Sequence, residues 1–141
     1  MKFISRSVSD TFRIARKIRL KPADIILLKG ELGTGKTTFA KGLLSGLGFD
    51  KNKVVSSSFV LISHYKNSRY SVFHIDLYRL NKKDVVGFTD FWEILEDKKH
   101  IKIIEWPQAV ENMLPKKAIK VTLSYKGPKE RVIAIKGGNL N

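Results

Sequence analysis

The octapeptide Gly30-Glu31-Leu32-Gly33-Thr34-Gly35-Lys36-Thr37 restricts this chain more than any other stretch. It has the spacing G-x-x-x-x-G-K-[ST], in which glycines let the backbone curl into a nest whose N–H groups converge on one anion. Lys36 then sets a compact positive charge against the outer phosphates, and the Thr37 hydroxyl offers one ligand to Mg²⁺. Ahead of it, Ile25-Ile26-Leu27-Leu28 is a short apolar run suited to a strand buried on both faces. Behind it, Phe39, Ala40, Leu43, Leu44 and Leu47 recur at helical spacing, and Gly46 and Gly48 offer a stop. Strand, glycine loop and helix together aim a helix N-terminus at a phosphate, so the stretch predicts a nucleoside triphosphate site rather than an incidental glycine-rich turn.

The remaining composition bounds what surrounds that site. With 141 residues the chain can bury one sizeable core. A single domain over residues 1–136 is expected, with a frayed tail over 137–141. The lack of cysteine excludes disulfides, thiolate metal sites and cysteine nucleophiles. No apolar stretch approaches membrane-spanning length and the first residues carry no apolar signal segment, so a cytoplasmic protein is expected. The formal charge of +14 favours polyanions, RNA among them. The cations are scattered, from Arg13, Arg16, Lys17 and Arg19 to Lys116, Lys117 and Lys120, which leaves open both a nucleic-acid face and a merely solvated surface.

Taken in order, Lys2 to Ser7 reads as an edge strand. Ser9 reads as the N-cap of a helix with Thr11, Ile14, Ala15 and Ile18 on one face, halted by Pro22. Phe59-Val60-Leu61-Ile62 and Ser71 to Asp76 are strands joined by a tight turn at Lys66-Asn67-Ser68-Arg69, hence antiparallel, so the sheet is expected to be mixed. Asp90 reads as the cap of a short helix carrying Phe91, Trp92, Ile94 and Leu95. Ile101 to Glu105 is a further strand stopped by Trp106-Pro107, and Ala109, Val110 and Met113 suggest a short helix. Ala118 to Tyr125 and Arg131 to Lys136 form a terminal hairpin.

Two of these strands end in an acid, Asp76 and Glu105, and strand C-terminal ends are where α/β sheets gather ligands. Asp76 suits Mg²⁺, directly or through water; the longer Glu105 suits orientation of an attacking water, and spacing leaves the two roles exchangeable. Ser56, Ser57 and Ser58 offer a hydroxyl to the γ-phosphate or form a plain polar turn. His64 and His74 read as structural, and Trp106 either flanks a base or fills the core. No His, Asp and Glu grouping has metal-ligand spacing. No arginine is evident beside the loop, so slow isolated turnover is expected.

Together these pieces resemble the TsaE family, bacterial ATPases of tRNA threonylcarbamoyladenosine biosynthesis. The likeness is carried by the glycine loop through Thr38, by Ser56-Ser57-Ser58-Phe59-Val60-Leu61, by His74-Ile75-Asp76-Leu77-Tyr78-Arg79-Leu80 and by Ile104-Glu105-Trp106-Pro107. It runs from about Ser9 to Arg131. The resemblance implies an α/β, three-layer P-loop NTPase-like fold with a mixed central sheet and a C-terminal hairpin. It also implies ATP and Mg²⁺ as cofactors and weak hydrolysis by the chain alone. The implied partners are TsaD-like and TsaB-like proteins, with tRNA met indirectly through the complex that places a threonylcarbamoyl group on the adenosine beside the anticodon.

In this chain's numbering, the resemblance gives Gly33, Thr34, Gly35, Lys36, Thr37 and Thr38 to the nucleotide, joined by Ser58, Trp106 and Thr11. Thr37, Asp76 and Glu105 are the metal-side groups, Glu105 and Lys36 the catalytic ones, and Tyr78 and Arg79 part of a partner-facing segment. The family usually has Ser-Pro-Thr-Phe where this chain has Ser56-Ser57-Ser58-Phe59, and losing a proline that fixes φ predicts a looser segment. The usual polar-acidic pair before the tyrosine is replaced by Ser63-His64 ahead of Tyr65. Two other readings compete: a small-molecule P-loop kinase, although no long arginine-bearing lid is evident, and a non-catalytic basic RNA-binding module.

Overall fold

Ile26, Leu27 and Leu28 have no solvent exposure, the burial expected of a strand covered on both faces, and the molecule is layered around them. The computed structural model describes residues 1–54 and 61–140. Their strand, β3 (Ile25–Lys29), lies inside a seven-stranded sheet. The others are β1 (Lys2–Ser5), β4 (Ile62–Lys66), β5 (Ser71–Asp76), β6 (Ile101–Glu105), β7 (Ile119–Gly127) and β8 (Glu130–Lys136), in the order β1-β8-β7-β3-β6-β5-β4. β3 runs parallel to β6 and β7, and β5 parallel to β6, whereas β4, β8 and β1 pair antiparallel. The sheet is mixed, as expected, and β7 and β8 form the expected C-terminal hairpin.

Alternation of side chains along the central strands explains the three layers. Ile26, Leu28, Ile101 and Ile103 pack with helices α1 (Val8–Ala15) and α2 (Lys36–Gly46) through Ile14, Phe39, Leu43 and Leu44. Ile25, Leu27, Ile75 and Ile104 face the other way, onto Val85 of α3 (Lys82–Val86) and Phe91 of α4 (Thr89–Glu96). α1 and α2 approach closely at Gly42, where an added Cβ would sit 2.7 Å from the Ala15 Cβ and 3.1 Å from the Phe12 Cα. Among the described residues no helix is long and apolar enough to cross a membrane.

Several local expectations shift. Ser7, not Ser9, caps α1: its side chain accepts from the Asp10 N–H at 3.0 Å while the Asp10 carboxylate takes the Arg6 N–H at 2.9 Å, a second bond that Phe12, three residues after Ser9, could not make. The helix stops at Ala15, and Ile18–Arg19 becomes a short strand, β2. β2 pairs antiparallel with β9 (Asn139–Leu140), so these residues of the expected tail are tied down rather than frayed. Gly137 and Gly138, at φ 86° and 75°, turn the chain back to reach it. Asp90 lies inside the first turn of α4, whose N-cap is Phe88. The segment after Trp106 forms two 3₁₀ turns, Pro107–Ala109 and Glu111–Met113. Of the strand expected at Phe59 to Ile62, Ile62 begins β4, and residues 59 and 60 lie outside the described residues.

Candidate functional site

β3 delivers the chain to Gly30, and the loop that follows is shaped by what its glycines touch. A Cβ on Gly30 would meet the Leu123 carbonyl oxygen at 2.5 Å, and one on Gly33, at φ 81°, would meet the Tyr125 hydroxyl at 2.7 Å. The loop is braced from both sides. Thr34 Oγ1 donates to the Glu31 carbonyl at 2.7 Å, and the Tyr125 hydroxyl donates to the Leu32 carbonyl at 3.1 Å. Gly35 then opens α2 without a side-chain cap, leaving the first-turn N–H groups available to an anion.

Lys36 is nearly buried, 5% exposed. Its Nζ donates to the carbonyls of Gly30 at 2.6 Å and Glu31 at 3.0 Å, and stands 4.1 Å over the Trp106 ring. Burial pulls its pKa below the ordinary lysine value, against the opposing pull of Glu105 and then Asp76. Trp106 takes a left-handed backbone, φ 56°, directly after β6. Its ring lies 4.7 Å from that of Tyr78.

The two acids meet because of strand register. β5 and β6 are parallel with Asp76 opposite Glu105, and Glu105 is opposite Leu28 of β3. Side chains directly opposite in a sheet leave the same face, so both carboxylates emerge on the α2 side at the edge where the glycine loop begins. Asp76 Oδ1 accepts the Tyr78 N–H at 2.9 Å. Glu105 is 3% exposed, and its Oε2 accepts from His74 Nε2 at 2.6 Å. His74 is wholly buried, and among the described residues its Nδ1 has no hydrogen-bond partner, as suits the tautomer protonated on Nε2.

A cavity of about 390 Å³ is lined by Lys36, Thr37, Asp76, Arg79, Glu105 and Trp106. On the other side of the loop, a cavity of about 380 Å³ is lined by Thr11, Thr34, Thr38, Arg6, Lys129 and Arg131. Gly33, Gly35 and Thr38 border both, so the loop is a partition between them. Thr11, its Oγ1 2.7 Å from Ser5 Oγ, belongs to the second cavity. The Thr37 hydroxyl and the Asp76 and Glu105 carboxylates offer the hard oxygen donors that Mg²⁺ takes, alongside phosphate oxygens and water. Among the described residues no group of three or more His, Asp or Glu could hold a metal by itself. Ser58 lies outside the described residues.

Three residues have a place here that the sequence did not give them, His74 having read as structural, Arg79 as partner-facing and Tyr125 only as part of the hairpin. His74 reaches Glu105 from two residues before Asp76 on the same strand face, and that two-residue offset was its only local signal. Tyr125 braces the loop from 93 positions away in the chain. Arg79 brings a guanidinium to the cavity that holds Lys36, although no arginine lies near the loop in sequence.

Known proteins match along nearly the whole chain. The family model "Threonylcarbamoyl adenosine biosynthesis protein TsaE" covers residues 5–133. A Rickettsia felis protein named tRNA threonylcarbamoyladenosine biosynthesis protein TsaE is 31% identical over 134 residues, 94% of this chain and 77% of the relative. The Bacillus subtilis protein of the same name is 32% identical over 114 residues, 80% of this chain and 69% of the relative. The crystal structure of Bacillus subtilis YdiB matches with a TM-score of 0.77 at 27% identity, covering 99% of this chain and 86% of that one.

Proposed function

The chain belongs to the TsaE family of tRNA threonylcarbamoyladenosine biosynthesis proteins, and on that premise we propose that it is a Mg²⁺-dependent ATPase supporting turnover of the tRNA-modifying complex. The observation that carries the reading is the convergence of Lys36, Asp76 and Glu105 on one cavity at the N-terminus of α2. Backbone amides from Gly33 to Thr37 hold the phosphates, and Lys36 exchanges its two loop carbonyls for phosphate oxygens. Thr37 and Asp76 would hold Mg²⁺, which would neutralise charge on the outer phosphates. Glu105, held by His74, orients water in line with the γ-phosphate. The second cavity, about 380 Å³ beside Thr11, takes the nucleoside end.

Tyr78 is 49% exposed and Arg79 is exposed at the mouth of the phosphate-side cavity, a position that TsaD-like and TsaB-like partners can reach. Contact there would fix Arg79 toward the transferring phosphoryl group, and slow turnover by the chain alone is the expected consequence. tRNA is met through those partners, in the cytoplasm.

Phosphate release from ATP, measured with and without the two partner proteins, tests the reading. Stimulation by the partners and loss of release in Lys36→Ala are expected. Turnover indifferent to both would overturn it, and transfer of phosphate to a small-molecule acceptor would favour a kinase instead.

A further inference from the structure

On the face of the sheet opposite the glycine loop, four side chains form a hydrogen-bonded row whose members no step above uses. Ser71 opens β5, and His100 immediately precedes β6. Because Val72 pairs with Ile101, Ser71 and His100 lie side by side. Lys66 pairs with Ser71 and His64 with Phe73, which brings His64 diagonally onto Ser71 from β4. Ser71 Oγ is 2.7 Å from His100 Nδ1 and 2.6 Å from His64 Nε2. His100 Nε2 is 3.2 Å from Asp97 Oδ2, and Asp97 Oδ1 accepts the Lys99 N–H at 2.9 Å.

Packing fixes the two rings. Phe73 stacks on His64 at 4.3 Å and meets His100 edge-on at 4.8 Å. The row stays open to solvent: His64 is exposed, and the His100 and Asp97 side chains are 23% and 41% accessible.

Donor arithmetic assigns each proton. The Lys99 N–H bond, aided by the charges of Lys102 and Lys99, holds the Asp97 carboxyl below its ordinary pKa against desolvation, so it is an acceptor only. His100 Nε2, facing that carboxylate, carries a proton, and in the Nε2-protonated tautomer Nδ1 is an acceptor. The Ser71 hydroxyl satisfies that nitrogen by donating to it. Its one proton committed, Ser71 Oγ accepts from His64 Nε2–H. Carboxylate, imidazole and hydroxyl thus stand in the order in which an orienting acid, a base and a nucleophile act.

We propose that Ser71 is an activated nucleophile at a second site, remote from the glycine loop, that accepts acyl groups from activated esters, with His100 as its base. Asp97 is the positioning residue that keeps His100 in the reactive tautomer. Ser71 Oγ forms the new bond to the ester carbonyl carbon while its proton passes to His100 Nδ1. The bond from that carbon to the alcohol oxygen breaks, and the leaving oxygen takes the proton from His100. The products are an O-acyl Ser71 and the free alcohol; no oxidant or reductant is involved.

p-Nitrophenyl acetate is the probe, used on the full chain with release of nitrophenolate followed and the acetylated peptides mapped. The expected result is a hydroxylamine-labile acetyl group on Ser71, distinct from stable acetyl-lysine. Ser71→Ala removes it, and His100→Gln and Asp97→Asn each slow its formation about 100-fold, the usual worth of a positioned base. ATP binding and the thermal transition of Ser71→Ala are expected to match the wild type, so failure here is separate from failure of the proposed ATPase. Acetylation confined to lysines, or Ser71 acetylated equally fast in folded Asp97→Asn, overturns the proposal.

Discussion

His74 Nε2 lies 2.6 Å from Glu105 Oε2 on the α2 face of the sheet, with the histidine wholly buried and Glu105 at the wall of the phosphate-side cavity. A carboxylate at that depth depends on its hydrogen-bond donors for both its energy and its aim. Removing the donor with His74→Leu is expected to cost about 1–3 kcal/mol of stability and to lower ATP turnover while leaving nucleotide affinity near its original value. His74→Gln, whose amide N–H can occupy the place of Nε2–H, is expected to restore most of the turnover. Phosphate release set against nucleotide titration separates the two effects, and a His74→Leu variant with full turnover would refute the positioning role.

Gly33 and Tyr125 form a second testable pair. Gly33→Ala places a Cβ against the Tyr125 hydroxyl at 2.7 Å and strains a left-handed backbone, φ 81°. Nucleotide affinity is expected to fall about tenfold or more, since such strain costs about 1–3 kcal/mol. Tyr125→Phe alone removes only the bond to the Leu32 carbonyl. In the double variant the steric part disappears, so the two changes should combine to less than their sum; strict additivity would show that the hydroxyl does not crowd the loop.

Gly42 tests the helix layer. Alanine is the better helix former by about 1 kcal/mol, so propensity alone predicts that Gly42→Ala stabilises the protein. The Ala15 Cβ at 2.7 Å and the Phe12 Cα at 3.1 Å argue the reverse, because α1 must move away from α2. A net loss of about 1–3 kcal/mol in chemical denaturation is expected. A gain would mean that the two helices slide apart without penalty.

Burial lowers the pKa of Lys36, and likewise that of Lys102, below the ordinary lysine value of 10.5. Between the depressed folded value and 10.5 the unfolded chain holds more protons than the folded one, so stability rises with pH through that window. Without nucleotide, the wild type minus Lys36→Met difference in unfolding free energy should increase from neutral pH toward about 10. A flat difference would indicate that the carbonyls of Gly30 and Glu31 and the Trp106 face compensate burial of the ammonium fully.

Legibility in the sequence followed the range of the interaction responsible. The glycine loop and α2 are local, and their residues alone predict them. Asp76 and Glu105 could be found as strand ends, yet their adjacency needed the parallel β5–β6 register. The His74–Glu105 bond spans 31 positions, and near His74 only its two-residue offset from Asp76 sets it apart from an ordinary buried histidine. Ser7 and Ser9 are equally good caps by type; the choice is made by Asp10 answering on the Arg6 N–H. Pairing of Ile18–Arg19 with Asn139–Leu140 involves two residues a side, too few to leave a pattern. The expectation for Ser56, Ser57 and Ser58 falls outside the described residues.

The wall made by Gly33 and Gly35 has one consequence for traffic. A molecule seated astride it has its two ends in separate rooms, each with its own door. A protein pressed against the Tyr78 door would hold back whatever is shed at Glu105 without touching the room behind Thr11. For a nucleotide bound as proposed, order of departure would then be set from outside, by which threshold is covered.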